Sequence, residues 1–326
     1  MIKIIMLILV SLASSAGLHA QTPQLPHTYP NKPVKLIIPY PPGGGNDSLG
    51  RLIGQKLGEA LGQPVVVDNR GGAGATIGTE LAAKSTPDGY TILLSSIVTH
   101  ALSPVLYPKL GYDPVKDFVP LAVIAVAPTV LMVGPHVKAA NLPALVALAK
   151  ASPGKLTYAS GGNGTSPHIA GELFRSVAGV EMLHVPFKGG GPASMAIMAG
   201  DVDMMFDTAA SAMPHVKSGR LIGMAIATPA RSPDYPELPT FAEGAIPGYE
   251  FNSWYSLHAP AGTPKAVVDR LRFEIANVLK NPETRAKIKN FGAEPSSIAG
   301  DEFAAFQRAE LAKYARLISS ANIKLE

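Results

Sequence analysis

Apolar positions along the chain fall into two alternating rhythms. Val34-Lys35-Leu36-Ile37-Ile38 is a short apolar run closed by Pro39, which predicts a buried strand. Leu49, Leu52, Ile53, Leu57, Ala60 and Leu61 then recur at three-and-four spacing until Gly62, which predicts a helix with one buried face. The rhythm repeats: a strand at Val65–Val67, a helix at Ile77–Ala83, and core strands at Tyr90–Ser95 and Leu121–Val126. Further strands are predicted at Thr129–Val133, Leu156–Ala159, Leu183–Phe187, Met204–Asp207 and Ile222–Ala227. Helices fall between them, around 142–150, 167–178, 192–199 and 208–217. After Trp254 a helix is predicted with Thr263 as N-cap and Pro264 in its first position, followed by helices at about 283–290 and 301–319. Strands alternating with helices at this pace imply an α/β fold of parallel βαβ units with helices on both faces.

Length, composition and charge narrow the picture. At 326 residues, two domains are expected. Hydrophobic residues make up 47% and charged residues only 16%, the opposite of a disordered chain. The net charge of +4 is too thin and too scattered for a nucleic-acid footprint. Cysteine is absent, which removes disulfides, thiol catalysis, cysteine-ligated zinc and lipid attachment through cysteine. The first twenty residues are a separate object: Lys3, the apolar run Ile4–Val10, then small residues to Ala20. This is the order of an export signal, with cleavage expected between Ala20 and Gln21. Ser11, Ser14, Ser15 and His19 interrupt the run too early for a spanning helix, which needs about 20 apolar residues. Residues 21–32 read as a polar, Pro-rich spacer, and the exported chain is expected in a periplasm.

Two glycine loops carry the functional signal. Pro42-Gly43-Gly44-Gly45-Asn46-Asp47-Ser48 joins a strand to a helix, and Ser160-Gly161-Gly162-Asn163-Gly164-Thr165-Ser166-Pro167-His168 does the same. Glycine lets backbone N–H groups approach a ligand, and a helix start attracts anions. Either both are tight turns, or together they form an anion site. Enzyme signatures fail: Gly43-x-Gly45-x-x-Ser48 lacks the third glycine of a dinucleotide fingerprint. Ser160 lacks the preceding glycine of a nucleophile elbow, and no histidine pair has metal-ligand helix spacing. No cofactor or metal is expected.

Four segments, Pro41–Asp47, Gln63–Arg70, Pro87-Asp88-Gly89-Tyr90-Thr91 and His184–Gly189, resemble the Bug (Bordetella uptake gene) family. These are the periplasmic solute-binding proteins of tripartite tricarboxylate transporters. Tyr158–Gly161 through His168–Phe174 is similar to that family's second ligand loop, and the resemblance runs from about Pro33 to the C-terminus. It implies a two-domain, type II-like Venus-flytrap fold of the periplasmic-binding-protein kind, each domain a mixed sheet flanked by helices. The first domain would be 33–128 plus 255–326 and the second 129–254. The resemblance further implies a carboxylate held by backbone amides and waters, without catalysis. It points to Pro42, Gly43, Gly44, Asn46 and Asp47 on the first loop, and to Ser160, Gly161, Asn163, Gly164, Thr165 and His168 on the second. Asn46 stands where threonine is frequent in that family, and Gly161 and Thr165 where serines are.

Side groups offer open alternatives. Ser95, Ser96 and Thr99 follow a strand end and either reach the ligand or form a polar turn. His168 either faces the ligand or makes a structural hydrogen bond. Asp207 either reads a donor on the ligand, an ammonium or hydroxyl, or N-caps the helix at 208–217. Three functions compete: an organic-acid binding protein serving a membrane permease, a receptor presenting the closed form to a sensor kinase, and a hydrolase or transferase using Asp47 or Asp207 as base. The first is expected to act as a monomer.

Overall fold

The computed structural model describes residues 29–43, 45–320 and 323. The expected export signal at 1–20, residues 21–28 of the spacer, and Gly44 lie outside them.

The N-terminal third alternates as its apolar rhythm requires: β1 (Val34–Ile38), α1 (Gly45–Leu61), β2 (Val65–Asn69), α2 (Thr76–Ala83), β3 (Thr91–Ser96) and the short α3 (Ser103–Leu106). Next come β4 (Phe118–Val133), α4 (Leu142–Ala151), β5 (Thr157–Ser160), α5 (Ser166–Ala178), β6 (Leu183–Pro186), α6 (Gly190–Ala199), β7 (Met204–Thr208), α7 (Ala209–Lys217) and β8 (Ile222–Ile226). The chain ends with β9 (Asn252–Pro260), α8 (Lys265–Lys280), α9 (Pro282–Asn290), β10 (Glu294–Pro295) and α10 (Gly300–Ser320).

These strands form two sheets that share one member. In the first, β1 lies parallel between β2 and β3, β9 pairs antiparallel with β3 and β4, and β10 adds to β4. In the second, β5 lies parallel between β6 and β7, while β7 and β8 both run antiparallel to β4. β4 pairs with β9 from Phe118 to Pro128 and with β7 from Thr129 to Val133, so one strand passes from sheet to sheet.

That strand corrects the expectation of separate strands at Leu121–Val126 and Thr129–Val133. Proline removes one ladder donor, which usually ends a strand. Pro128 sits at the point where β4 exchanges one partner for the next, so the missing N–H falls at the changeover. A second difference is β9, which the apolar rhythm did not announce. Ser253, Ser256 and His258 are buried in it and break the hydrophobic run. A third is the N-cap of α8. Pro264 holds that position, its carbonyl accepting from Val267 and Val268, while the Thr263 hydroxyl donates to the Pro260 carbonyl.

Packing explains why the loops sit where they do. Leu49, Ile53 and Leu57 of α1 are buried against Leu36 and Ile38 of β1 and Leu94 of β3, each worth roughly 1.5–3 kcal/mol. α10 straps the crossover: the Trp254 indole N–H donates to Glu310 at 3.0 Å, and the Phe251 and Tyr314 rings meet at 5.5 Å. A single apolar cluster includes Val123 of the first sheet, Leu131 and Val133 of the second, and Phe303 of α10.

Candidate functional site

A cleft of about 870 Å³ opens between the two sheets. One wall is the chain leaving β1 and β3, the other the chain leaving β5, β6 and β7, the strand ends at which open α/β sheets bind ligands. The first turns of α1, α5, α6 and α7 all border it, through Asn46, Ser166, Gly191 and Thr208 among others. Each helix start presents N–H groups without intrahelical partners and the positive end of a dipole. Among the described lining residues Lys188 and Asp207 are the formally charged ones, and none is arginine.

Of the expected site residues, Pro42, Gly43, Asn46, Ser96, Gly161, Thr165 and Asp207 line this cleft. Asp47, Ser95, Thr99, Ser160, Asn163, Gly164 and His168 do not, and Gly44 lies outside the described residues. Most of the second group are buried just behind the walls.

Asp47 braces the first loop from beneath. Its carboxylate accepts from the Gly43 N–H at 2.9 Å, from Asn69 at 2.9 Å and from Arg51 at 3.0 Å. Burial alone would raise this carboxyl, but Arg51, Gly43 and Asn69 outweigh it and hold it below the usual carboxylate range. Asn69 also donates to the Tyr40 carbonyl, tying β2 to the loop. Gly43 has φ +89°, a conformation that favours glycine. Beside it the Tyr40 hydroxyl meets Ser96 at 2.7 Å, and burial pushes that phenol up to about 12.

Ser96 ends β3 and starts a tight turn: its N–H donates to Thr99 Oγ1 and its Oγ accepts from the Val98 N–H. Ser95, one residue earlier, points to the opposite face of the strand, as strand alternation requires. It is fully buried with Ser256 at 2.7 Å and His258 at 2.6 Å. Burial lowers His258 to about 4, so this seam is neutral at pH 7.

Imidazoles brace the second loop. The Gly164 N–H donates to His168 Nδ1 at 3.1 Å, Ser160 Oγ meets His184 Nε2 at 2.6 Å, and the two rings stack at 4.1 Å. Burial, aided by the charge of His168, lowers His184 to about 4. The Thr165 hydroxyl donates to the Gly162 carbonyl at 2.6 Å, and Gly162 and Gly164 hold φ of +125° and +77°. His168 thus makes a structural hydrogen bond: it holds a loop amide, as Asp47 does on the other wall.

Other lining residues were not singled out from the sequence as binding residues. Gly189-Gly190-Gly191, the N-cap and first two residues of α6, forms a third glycine wall. It packs so closely on Gly161 that a Cβ there would stand 3.3 Å from the Gly189 carbonyl carbon. The strand–glycine–helix pattern that marked the first two loops was present here too. Tyr40, Ser194, Ser211, His215, Ser253 and Tyr255 also line the cleft. Tyr255 lies on β9, the strand hidden by its own polar residues. Asp207 is not the N-cap of α7: Thr208 is, and Asp207 Oδ1 accepts the Thr208 N–H at 2.7 Å.

Two α/β sheets joined by a shared strand, with a polar cleft bordered by helix starts, are the architecture of a periplasmic solute-binding protein. The chain belongs to the family described as the tripartite tricarboxylate transporter family receptor, whose profile matches residues 49–323. It is 38% identical to a UPF0065 protein from the tcbD-tcbE intergenic region of Pseudomonas sp. strain P51, over 89% of this chain and 86% of that one. It is 35% identical to the protein BugT of Bordetella pertussis, over 96% of each. Among solved structures, an R. palustris protein with adipate superposes with a TM-score of 0.86 at 34% identity, covering 91% of this chain and 99% of that one. MatC from Rhodopseudomonas palustris with bound malate gives 0.82 at 29% identity, covering 89% and 99%. Among the described residues, no helix is long and apolar enough to cross a membrane.

Proposed function

We propose that the protein captures a small organic carboxylate in this cleft, through backbone amides of the two glycine loops and bridging waters, and delivers it to the permease of a tripartite tricarboxylate transporter. The observation that carries this reading is the meeting of four helix starts on one cleft that no arginine lines among the described residues. Each start contributes roughly 0.3–1 kcal/mol to an anion. Hydrogen bonds to a charged group add about 1.5–3 kcal/mol each. Together these reach the roughly 8 kcal/mol of micromolar binding.

The lobes are 33–128 with 255–326, and 129–254, and they close on the ligand by twisting about the crossover strands near Pro128. Pro42, Gly43, Asn46 and Ser96 act from one lobe and Gly161, Thr165 and Asp207 from the other, with Asp47, Ser160, Gly164 and His168 shaping the loops behind them. Asp47 is fully engaged with Arg51, Asn69 and Gly43, which leaves it no role as a catalytic base. The leader 1–20 directs export, and the protein works as a monomer without turnover.

A thermal-shift screen of di- and tricarboxylates tests the reading. Ligand at 100 times its dissociation constant stabilises by about 2.7 kcal/mol. An unshifted melting temperature with every carboxylate at millimolar concentration, or chemical conversion of a bound acid, overturns it.

A further inference from the structure

The cleft is built for an anion at its helix starts, yet its second-lobe wall carries a carboxylate. Asp207 lines the cleft from the end of β7. Its Oδ1 takes the Thr208 N–H, and its Oδ2 faces the start of α6, 3.7 Å from where a Cβ would stand at Gly190. Lys188 and His215 line the same cleft, but among the described residues no lysine, arginine or histidine shifts Asp207, whereas burial raises it to about 6, against the Thr208 N–H and the Ser211 hydroxyl. Tyr40 and Tyr255 line the same cleft, and the charge of Asp207 adds to the burial that raises Tyr255. A half-buried carboxylate without a cation is costly unless a partner arrives. Hydroxyls already serve its polar needs from Ser211, so the group it lacks is a positive charge. Aromatic rings that share a cleft with a carboxylate suit an ammonium better than a hydroxyl.

We infer that Asp207, with Tyr40 and Tyr255, forms an ammonium subsite, so that the preferred ligand is an amino acid whose carboxylate meets the glycine loops and whose amine meets Asp207. This rests on the binding-protein reading above and narrows it to a zwitterion. The helix starts and Asp207 then match the two ends of one ligand, and the repulsion between Asp207 and an anionic ligand becomes a filter against plain dicarboxylates.

Isothermal titration calorimetry with matched acids tests this: succinate against L-aspartate, glutarate against L-glutamate, and 3-phenylpropionate against L-phenylalanine. In the unaltered protein at least one amino member should bind ten-fold or more tighter than its amine-free partner. Asp207→Asn keeps an acceptor for the Thr208 N–H and should erase that preference, weakening the amino acid ten-fold or more relative to its amine-free partner. Asp207→Ser serves as the second variant, with far-ultraviolet circular dichroism to check the fold of both. Amine-free acids binding as tightly as their amino partners, or equal losses for both in Asp207→Asn, overturn the inference and leave the binding function standing. Failure of all six acids, and of tricarboxylates, overturns both.

Discussion

Behind the first glycine loop stands a carboxylate, Asp47, with all its partners present; behind the second stand two stacked imidazoles, His168 and His184. Both hold a loop amide, Gly43 in one case and Gly164 in the other. Asp47 does so as an anion that its neighbours keep ionised well into acid. His168 accepts at Nδ1 only while that nitrogen carries no proton. The same strand–glycine–helix geometry is therefore rigid to acid on one wall and sensitive to it on the other.

The comparison can be broken or sharpened by four measurements. Asp47→Ala should have the largest effect, stranding Gly43, Asn69 and Arg51 and costing about 3 kcal/mol of stability in urea unfolding. Ligand affinity should fall at least ten-fold with it. A loss no greater than that of Ser160→Ala would erase the distinction between the walls.

Acid should act next, through the histidines. His184 and His258 are held to about 4 in the folded protein against an ordinary 6.5. Between those values the unfolded chain binds more protons, so their stability contribution is full above pH 6.5 and is lost as pH falls towards 4. For His184 the loss is about 2–3 kcal/mol across that window. His184→Gln should flatten that part of the pH–stability curve, and an unchanged slope would show that the brace does not titrate.

Asp207 works in the opposite direction. Its folded value of about 6 lies above the ordinary 3.8, so between those values the folded protein binds the extra proton and this group destabilises as pH rises. Asp207→Asn should stabilise the ligand-free protein by about 1–2 kcal/mol at pH 7 and by nothing below pH 4. The smallest effect is expected at the contact of two glycine loops. Gly161→Ala must displace Gly189 by a few tenths of an ångström and should cost under about 1 kcal/mol, read as a small drop in melting temperature.

Much of this was legible in the sequence because the elements that build the walls have apolar periodicity. The strands expected at Val34–Ile38 and Leu156–Ala159 and the helices after them follow from the apolar pattern, and the glycines between them mark the loops. What was hidden had polar residues in buried places. β9 carries Ser253, Ser256 and His258, and the last two find side-chain partners on other elements: Ser256 and His258 meet Ser95, and His258 also meets Gln307 of α10. Asp47 and His168 were legible as loop residues, but whether such a side chain faces ligand or supports backbone depends on partners 22 and 16 positions away in sequence, Asn69 and His184. Ser95 and Ser96 show the same limit, since one step along a strand separates the interior from the cleft.

β4 belongs to both sheets, and the apolar cluster beneath it runs unbroken from Val123 to Leu131 and on to Phe303. Such a strand behaves as a torsion bar rather than a tether: rotating one sheet must wind the ladder of the other. Mechanical pulling on the ends of the chain should accordingly meet a single cooperative rupture instead of two, because neither sheet can lose β4 without the other.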